Sequence, residues 1–202
     1  MHVDSLLVAA DRADDVGMSA RYLHGLHEGD RLDVFFEGAD GFHLQDDVSK
    51  PMIFVSAGTG FAPMRAFLWE RLALGRQGVR LAEAALFNGI RARSVDYIYR
   101  DEIEMFAAAG VLDHVHLARS RERPDHRDYV QDRLRRQAAL VWRLLESGAY
   151  VYVCGSQPMR EAVRDAFVDI VGEQGTMPRE RAEAFLEKLE MTERRYRPDL
   201  WG

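Results

Sequence analysis

Cysteine is nearly absent: Cys154 is the only one in the chain. One thiol forms no intramolecular disulfide and no cysteine-based zinc site, so neither device is expected to hold the fold. Long apolar runs are missing too. No window reaches the about 18 continuous apolar residues of a membrane-spanning helix, and no membrane segment is expected. The opening stretch, MHVDSLLVAADRADD, carries acids early and no basic region before an apolar core, which is not the pattern of a secretory signal. Positive charge is in deficit, with 27 Lys and Arg against 33 Asp and Glu and a net charge of -6. An acidic whole offers no broad field to attract phosphate backbones, so no nucleic-acid partner is expected. A reducing cytoplasm is the expected location. No internal repeat and no low-complexity tract occurs.

What is present suffices for a real core. Apolar residues make up 47% of 202 positions, which suits one large domain or one complete domain with part of a second. From Pro51 the pattern alternates strand and helix. Strands are predicted at 52–57, 83–88, 112–118 and 149–154. Helices are predicted at 62–76, 97–109, 129–145, 158–173 and 179–190, followed by a short extended piece at 194–201. Such alternation implies an α/β fold with a doubly wound parallel sheet, whose ligands sit beyond the carboxyl ends of the strands. Residues 1–48 read differently. Segments 2–10 and 31–38 look like strands, and between them 18–30 looks like a short helix with a turn at His27–Asp30 and Gly29 as its stop. This part is too small to close its own sheet and is expected to belong to a larger β-domain.

Chemistry-bearing residues collect at the predicted strand ends. SAGTGFAP (56–63) follows a buried strand and opens a helix. Glycines allow close backbone approach to a pyrophosphate, and the free amides of a helix start attract an anion. The spacing matches neither the G-x-G-x-x-G dinucleotide fingerprint nor the NTPase loop. Taken alone, it suits either a nucleotide turn or a tight strand-to-helix connection. Segment 119–136 is a basic island, with seven arginines against four acids. Arginine forks and hydroxyls there suit a dianionic phosphate; a solvated charged loop is the plain alternative. Cys154 ends a strand just before Gly155, and a lone cysteine is commonly a small buried apolar residue. Asp96 and Tyr97 are expected to cap and pack a helix start.

Five ordered motifs carry a family resemblance. Gly58 to Arg65 resembles the G-T-G-x-A-P-x-R turn of ferredoxin–NADP⁺ reductase-like flavoenzymes. NGIRARSVDYIYRDEI (88–103) resembles their G-C-R-x-x-x-x-D-Y-x-Y-x-x-E segment, with Ile90 at the cysteine. SRERPDHRDYVQ (120–131), YVCG (152–155) and RYRPDLWG (195–202) resemble the three that follow. The combination is most similar to the reductase halves of cytochrome P450 reductases, P450–reductase fusions and sulfite reductase flavoproteins.

The resemblance implies a ferredoxin reductase-type NADP(H)-binding domain at 49–202, preceded at 1–48 by part of an antiparallel β FAD-binding domain. It implies that Gly58, Thr59, Gly60, Ala62 and Pro63 approach the pyrophosphate. Ser120, Arg121, Arg127 and Tyr129 would grip the 2′-phosphate of NADPH with Gln131 in support, and Arg91 would contact phosphate or ribose. Cys154 would lie by the nicotinamide and Asp199 would orient it. Trp201 would stack on the flavin, and Gly17 and Ser19 would meet the FAD diphosphate. Ser156 departs from the family's Asp after C-G, and no R-x-Y-S flavin segment precedes residue 50. The implied activity passes hydride from NADPH to FAD and electrons onward to an FMN (flavodoxin-like) partner and a haem or sulfite-reductase acceptor. Two alternatives stay open: an NADP(H)-binding module without bound FAD or independent turnover, and a subunit that completes its β-domain with another polypeptide.

Overall fold

A computed structural model describes residues 18–33, 41–92, 96–97, 99–122, 125 and 127–199, with two compact units, Met1–Gly38 and Ala39–Gly202. In the first, helix α1 spans Met18–His24. It ends one turn earlier than the sequence suggests. The amide of Gly25 bonds back to the carbonyls of Arg21 and Tyr22, and Gly29 instead takes its positive φ of 100° inside the next turn, where the Asp30 amide meets the His27 carbonyl. Residues 31–33 form no strand; the strand expected at 2–10 and the rest of that at 31–38 lie outside the described residues.

The second unit is the expected doubly wound sheet. Strands β1 (Met52–Ala57), β2 (Ala84–Ile90), β3 (His114–Arg119), β4 (Tyr150–Cys154) and β5 (Tyr196–Asp199) are all parallel, in the order β3-β2-β1-β4-β5. The apolar runs are buried on both faces, as parallel strands between helix layers must be. Even-numbered residues Met52, Phe54, Leu86 and Tyr152 pack under helices α2 (Phe61–Arg76) and α3 (Arg100–Ala108), through Met64, Leu68 and Phe106. Odd-numbered Ile53, Val55, Phe87 and Val153 pack under α4 (Val130–Arg136), α5 (Ala138–Glu146), α6 (Gln157–Gln174) and α7 (Arg179–Glu187). The single helix expected at 129–145 is two, because Gln137 leaves the helical region at φ -109°, ψ 28°. Leu134, Val141 and Leu145 still share one buried side across the break. The extended tail joins the sheet as edge strand β5. No helix among the described residues is long and apolar enough to cross a membrane.

Two anchors fix the sheet's surroundings. Arg197 on β5 donates to the His43 carbonyl (2.8 Å) and lies over the rings of Tyr150 and Tyr152, while the Gln45 amide donates to the Tyr152 hydroxyl (2.9 Å). Residues 41–48 are thereby tied to β4 and β5. Just before β2, Glu83 receives Arg143 of α5 (2.7 and 2.8 Å) and His114 of β3 (2.7 Å). Arg143 foremost, with His114, brings the Glu83 carboxyl down to about 2 from its ordinary 4.5. A carboxyl depressed by folding stabilises fully above its unfolded value and loses that contribution as pH falls toward the folded one. Glu83→Gln should therefore lower the melting temperature at neutral pH. The gap to the unmodified protein should close as pH drops from 4.5 toward about 2; thermal melts across that range check it.

Candidate functional site

The order in which strands are added reverses at β1. The connections from β1 lead through β2 to β3 on one side, whereas β4 lies on the other. This is a topological switch point, and crevices outside such strand ends are where open α/β sheets bind ligands. Helices α2 and α6 both start there, and neither has a side-chain cap on its first amides. The two are thus donors for an anion.

The glycine turn is built for close packing as much as for a ligand. Gly58–Gly60 form a 3₁₀ turn, and Gly58 has φ 56°, a conformation that costs other L-residues energy. Gly58, Thr59 and Ala62 are exposed, Pro63 is half-buried, and nothing lies within 4 Å of where a Gly58 side chain would begin. Gly60 is different. A β-carbon there would stand 2.2 Å from the carbonyl oxygen of Cys154, so this glycine lets the ends of β1 and β4 meet.

In-register parallel partners point to the same face, which assembles a polar row across the carboxyl ends. Asn88, Ser56, Cys154 and Asp199 follow one another on β2, β1, β4 and β5. The Ser56 hydroxyl donates to Asn88 Oδ1 at 2.9 Å, and the Cys154 thiol donates to Asp199 Oδ2 at 3.6 Å. Cys154 is 1% exposed, while Asp199 borders a cavity of about 770 Å³ with Phe42, His43, Arg194 and Arg197. The sequence reading named Cys154 and Asp199 but missed Ser56 and Asn88. Their signal was available: two polar residues inside otherwise apolar strands.

The basic island lies at the end of β2 and β3. The Ser120 and Arg121 amides donate to the carbonyls of Ile90 (3.0 Å) and Arg91 (2.8 Å), which extends the strand pairing and sets Arg91 beside the Ser-Arg pair. Asp96 is itself helical, and its carboxylate accepts from the amides of Arg91 (2.8 Å) and Ala92 (3.1 Å), which fixes the loop that presents Arg91 ahead of α3. Arg127 Nη1 donates to the Tyr129 hydroxyl at 3.3 Å. Between them Asp128, 5% exposed, receives Arg133 (2.7 Å) and Arg136 (3.0 Å) from α4, and Asp132 accepts the Tyr129 amide (2.9 Å). Gln131 is half-buried in the first turn of α4.

Ion pairing sorts the arginines. Arg119 pairs with Glu122, Arg133 and Arg136 with Asp128, and Arg135 with Asp169. Arg91, Arg121 and Arg127 pair with no carboxylate among the described residues. A second pair joins two motif residues: Arg65 donates to Glu102 (2.7 and 2.9 Å), clamping α2 to α3 and holding the Glu102 carboxyl low. Gly17 and Trp201 lie outside the described residues, and Ser19 belongs to α1 of the other unit.

The sequence that builds this crevice matches a family model. Oxidoreductase NAD-binding domains match residues 54–165. The chain belongs to that family. It is 39% identical over 191 residues to the sulfite reductase [NADPH] flavoprotein alpha-component of Pectobacterium atrosepticum, covering 94% of this chain and 30% of that protein. It is 38% identical over 179 residues to human NADPH–cytochrome P450 reductase, covering 88% of this chain and 26% of that protein. The Vibrio parahaemolyticus sulfite reductase flavoprotein alpha-component is 36% identical over 205 residues, covering 100% of this chain and 32% of that protein. The chain thus spans about a third or less of the length of these relatives, and the kinship with the nucleotide-binding half of diflavin reductases that its motifs suggest holds.

The two glycines of the turn make separable demands. Gly58→Ala should cost about 1 kcal/mol for the left-handed backbone. Gly60→Ala must push one strand end off the other and should cost about 3 kcal/mol or more, at or beyond the top of the range for overpacking. Urea unfolding of both variants measures this, and equal losses would contradict the packing role of Gly60.

Proposed function

We propose that this chain is the NADP(H)-binding part of a flavoprotein oxidoreductase that takes electrons from NADPH. The observation that carries the proposal is three arginines with no carboxylate partner among the described residues: Arg91 and Arg121 at the ends of β2 and β3 beside Ser120, and Arg127 bonded to Tyr129 just before α4. Guanidinium forks and hydroxyl donors suit a dianionic phosphate on an adenosine ribose, so the donor set fits NADPH rather than NADH. Ser120, Arg121 and Arg127 bind that phosphate, Tyr129 flanks the adenosine, Gln131 supports the loop and Arg91 reaches phosphate or ribose. The Gly58 to Pro63 turn approaches the pyrophosphate at the start of α2, with the amides of Gly58, Thr59 and Gly60 as donors, since Pro63 has no N–H.

At the end of β4, Cys154 and Asp199 flank the place of the nicotinamide. Asp199 accepts from the thiol, fixes its direction, and offers negative charge to the positive charge that grows on the ring as hydride leaves. FAD, when bound, supplies the redox chemistry, accepting hydride and releasing electrons singly. Gly17 and Ser19 are assigned to the FAD diphosphate and Trp201 to the flavin face. Residues 1–48 are assigned to a FAD-binding β-domain and 49–202 to the NADP(H)-binding domain. The onward partners are an FMN-bearing, flavodoxin-like domain or subunit and a haem or sulfite-reductase acceptor.

A second reading has its own support. The unit Ala39–Gly202 carries its own two-sided core and every residue assigned to the nucleotide. It suits a module that binds NADP(H) without FAD or turnover.

Titration with 2′,5′-ADP and 5′-AMP tests the shared claim. The chain should prefer 2′,5′-ADP, and Arg121→Ala with Arg127→Ala should reduce that preference by about tenfold or more per residue, the scale of a hydrogen bond to a charged group. An unchanged preference would defeat the assignment. An absorption spectrum after adding FAD and NADPH separates the two readings: a flavin band that NADPH bleaches supports the reductase, and no flavin uptake supports the binding module.

A further inference from the structure

An acid stands next to the proposed phosphate ligands. Glu122 directly follows Ser120 and Arg121. A free carboxylate at such a place would repel a 2′-phosphate and would suit an unphosphorylated ribose. Acidic side chains accept from the ribose 2′-hydroxyl in NAD sites, whereas arginine accommodates the 2′-phosphate. Glu122 is not free. Arg119 Nη1 donates to Glu122 Oε2 at 2.9 Å, across the turn that presents Ser120 and Arg121.

The pair is partly exposed, but the backbone that carries it is anchored. Arg119 is the last residue of β3, in register with Ile90 of β2. The amides of the next two residues are bonded to the carbonyls of Ile90 and Arg91, so the backbone of the turn is held from β2. The Arg119 side chain leaves this anchored strand end with its Nε buried and without a partner among the described residues. Glu122 is the carboxylate it pairs with there.

We infer that Arg119 and Glu122 form a latch that sets nucleotide selectivity, in which Arg119 neutralises the Glu122 carboxylate and keeps it from the site of Ser120, Arg121 and Arg127. This rests on the NADPH reading above and adds to it a residue that discriminates between phosphorylated and plain ribose. Arg119 is a positioning residue: it acts through Glu122 and not by touching the nucleotide. Removing Arg119 alone releases a negative charge into the phosphate site, and removing both removes the charge together with its keeper.

The test is calorimetric titration of the full chain with 2′,5′-ADP and with 5′-ADP, for the unmodified protein, Arg119→Ala, Glu122→Gln and the double variant, with circular dichroism as the check on folding. Arg119→Ala should weaken 2′,5′-ADP by about tenfold, equivalent to about 1.4 kcal/mol, while 5′-ADP binds as well as before or better. Glu122→Gln should hold 2′,5′-ADP at least as tightly as the unmodified protein, and the double variant should regain most of the loss. If alanine at 119 costs the fold, Arg119→Gln keeps the apolar stem and should give the same pattern. A double variant as weak as Arg119→Ala would overturn the latch, because Arg119 would then contact the phosphate itself. An Arg119→Ala protein with undiminished preference would overturn it too, leaving the NADPH reading intact. An unmodified protein with no preference between the two ligands would overturn that reading and the latch together.

Discussion

The approach of Gly60 to the Cys154 carbonyl lets β1 and β4 end side by side, and the site is arranged around that junction. Two helices start beside it, neither with a side chain capping its first amides. The register of the parallel strands then carries the arrangement outward. Because Ser56 is level with both Asn88 and Cys154, and Cys154 with Asp199, polar side chains from four strands share one face at the same height. A shift of one residue in any pairing would turn that strand's contribution to the opposite helix layer. The thiol–carboxylate contact therefore follows from backbone pairing and needs no special loop.

Charge is organised by subtraction. The chain is acidic overall, yet its middle segment carries an excess of arginine, and most of that excess is spent on structure. Asp128 takes two guanidinium groups from α4, Asp169 on α6 takes another, and Glu122 takes the one at the end of β3. Of the described arginines left over, Arg121 adjoins Ser120 at the end of β3 and Arg127 bonds Tyr129. The buried Asp128 also fixes the short piece on which Arg127 and Tyr129 meet, so the proposed pair of ligands is preset by a buried neighbour between them. Such fixed placement lowers the ordering cost of binding.

The strand–helix alternation from Pro51 onward was legible because each core strand is a short apolar run that stops at a glycine or a polar turn, a pattern that parallel sheets impose. The motif order located Cys154, Asp199 and the Ser120–Arg121 pair. Other features were not legible, for physical reasons. The break at Gln137 leaves the apolar periodicity of Leu134, Val141 and Leu145 in phase, so nothing in the pattern marks it. The amide partners of Asp96, Arg91 and Ala92, come before it, and only the path of the loop reveals that. Arg135 and Asp169 are 34 residues apart, so which arginines remain unpaired depends on how α4 packs on α6. Ser56 and Asn88 were visible as polar residues in apolar strands, but their bond needed the register of β1 and β2.

The proposed grip of the ends of β2 and β3 on a doubly charged phosphate of an adenosine ribose is open to a crystal structure of the chain in complex with 2′,5′-ADP. The 2′-phosphate should lie within hydrogen-bond distance of Ser120, Arg121 and Arg127, with the 5′-phosphate toward the Gly58–Gly60 turn. A 2′-phosphate facing solvent, or a nucleotide seated away from the switch point, would contradict it.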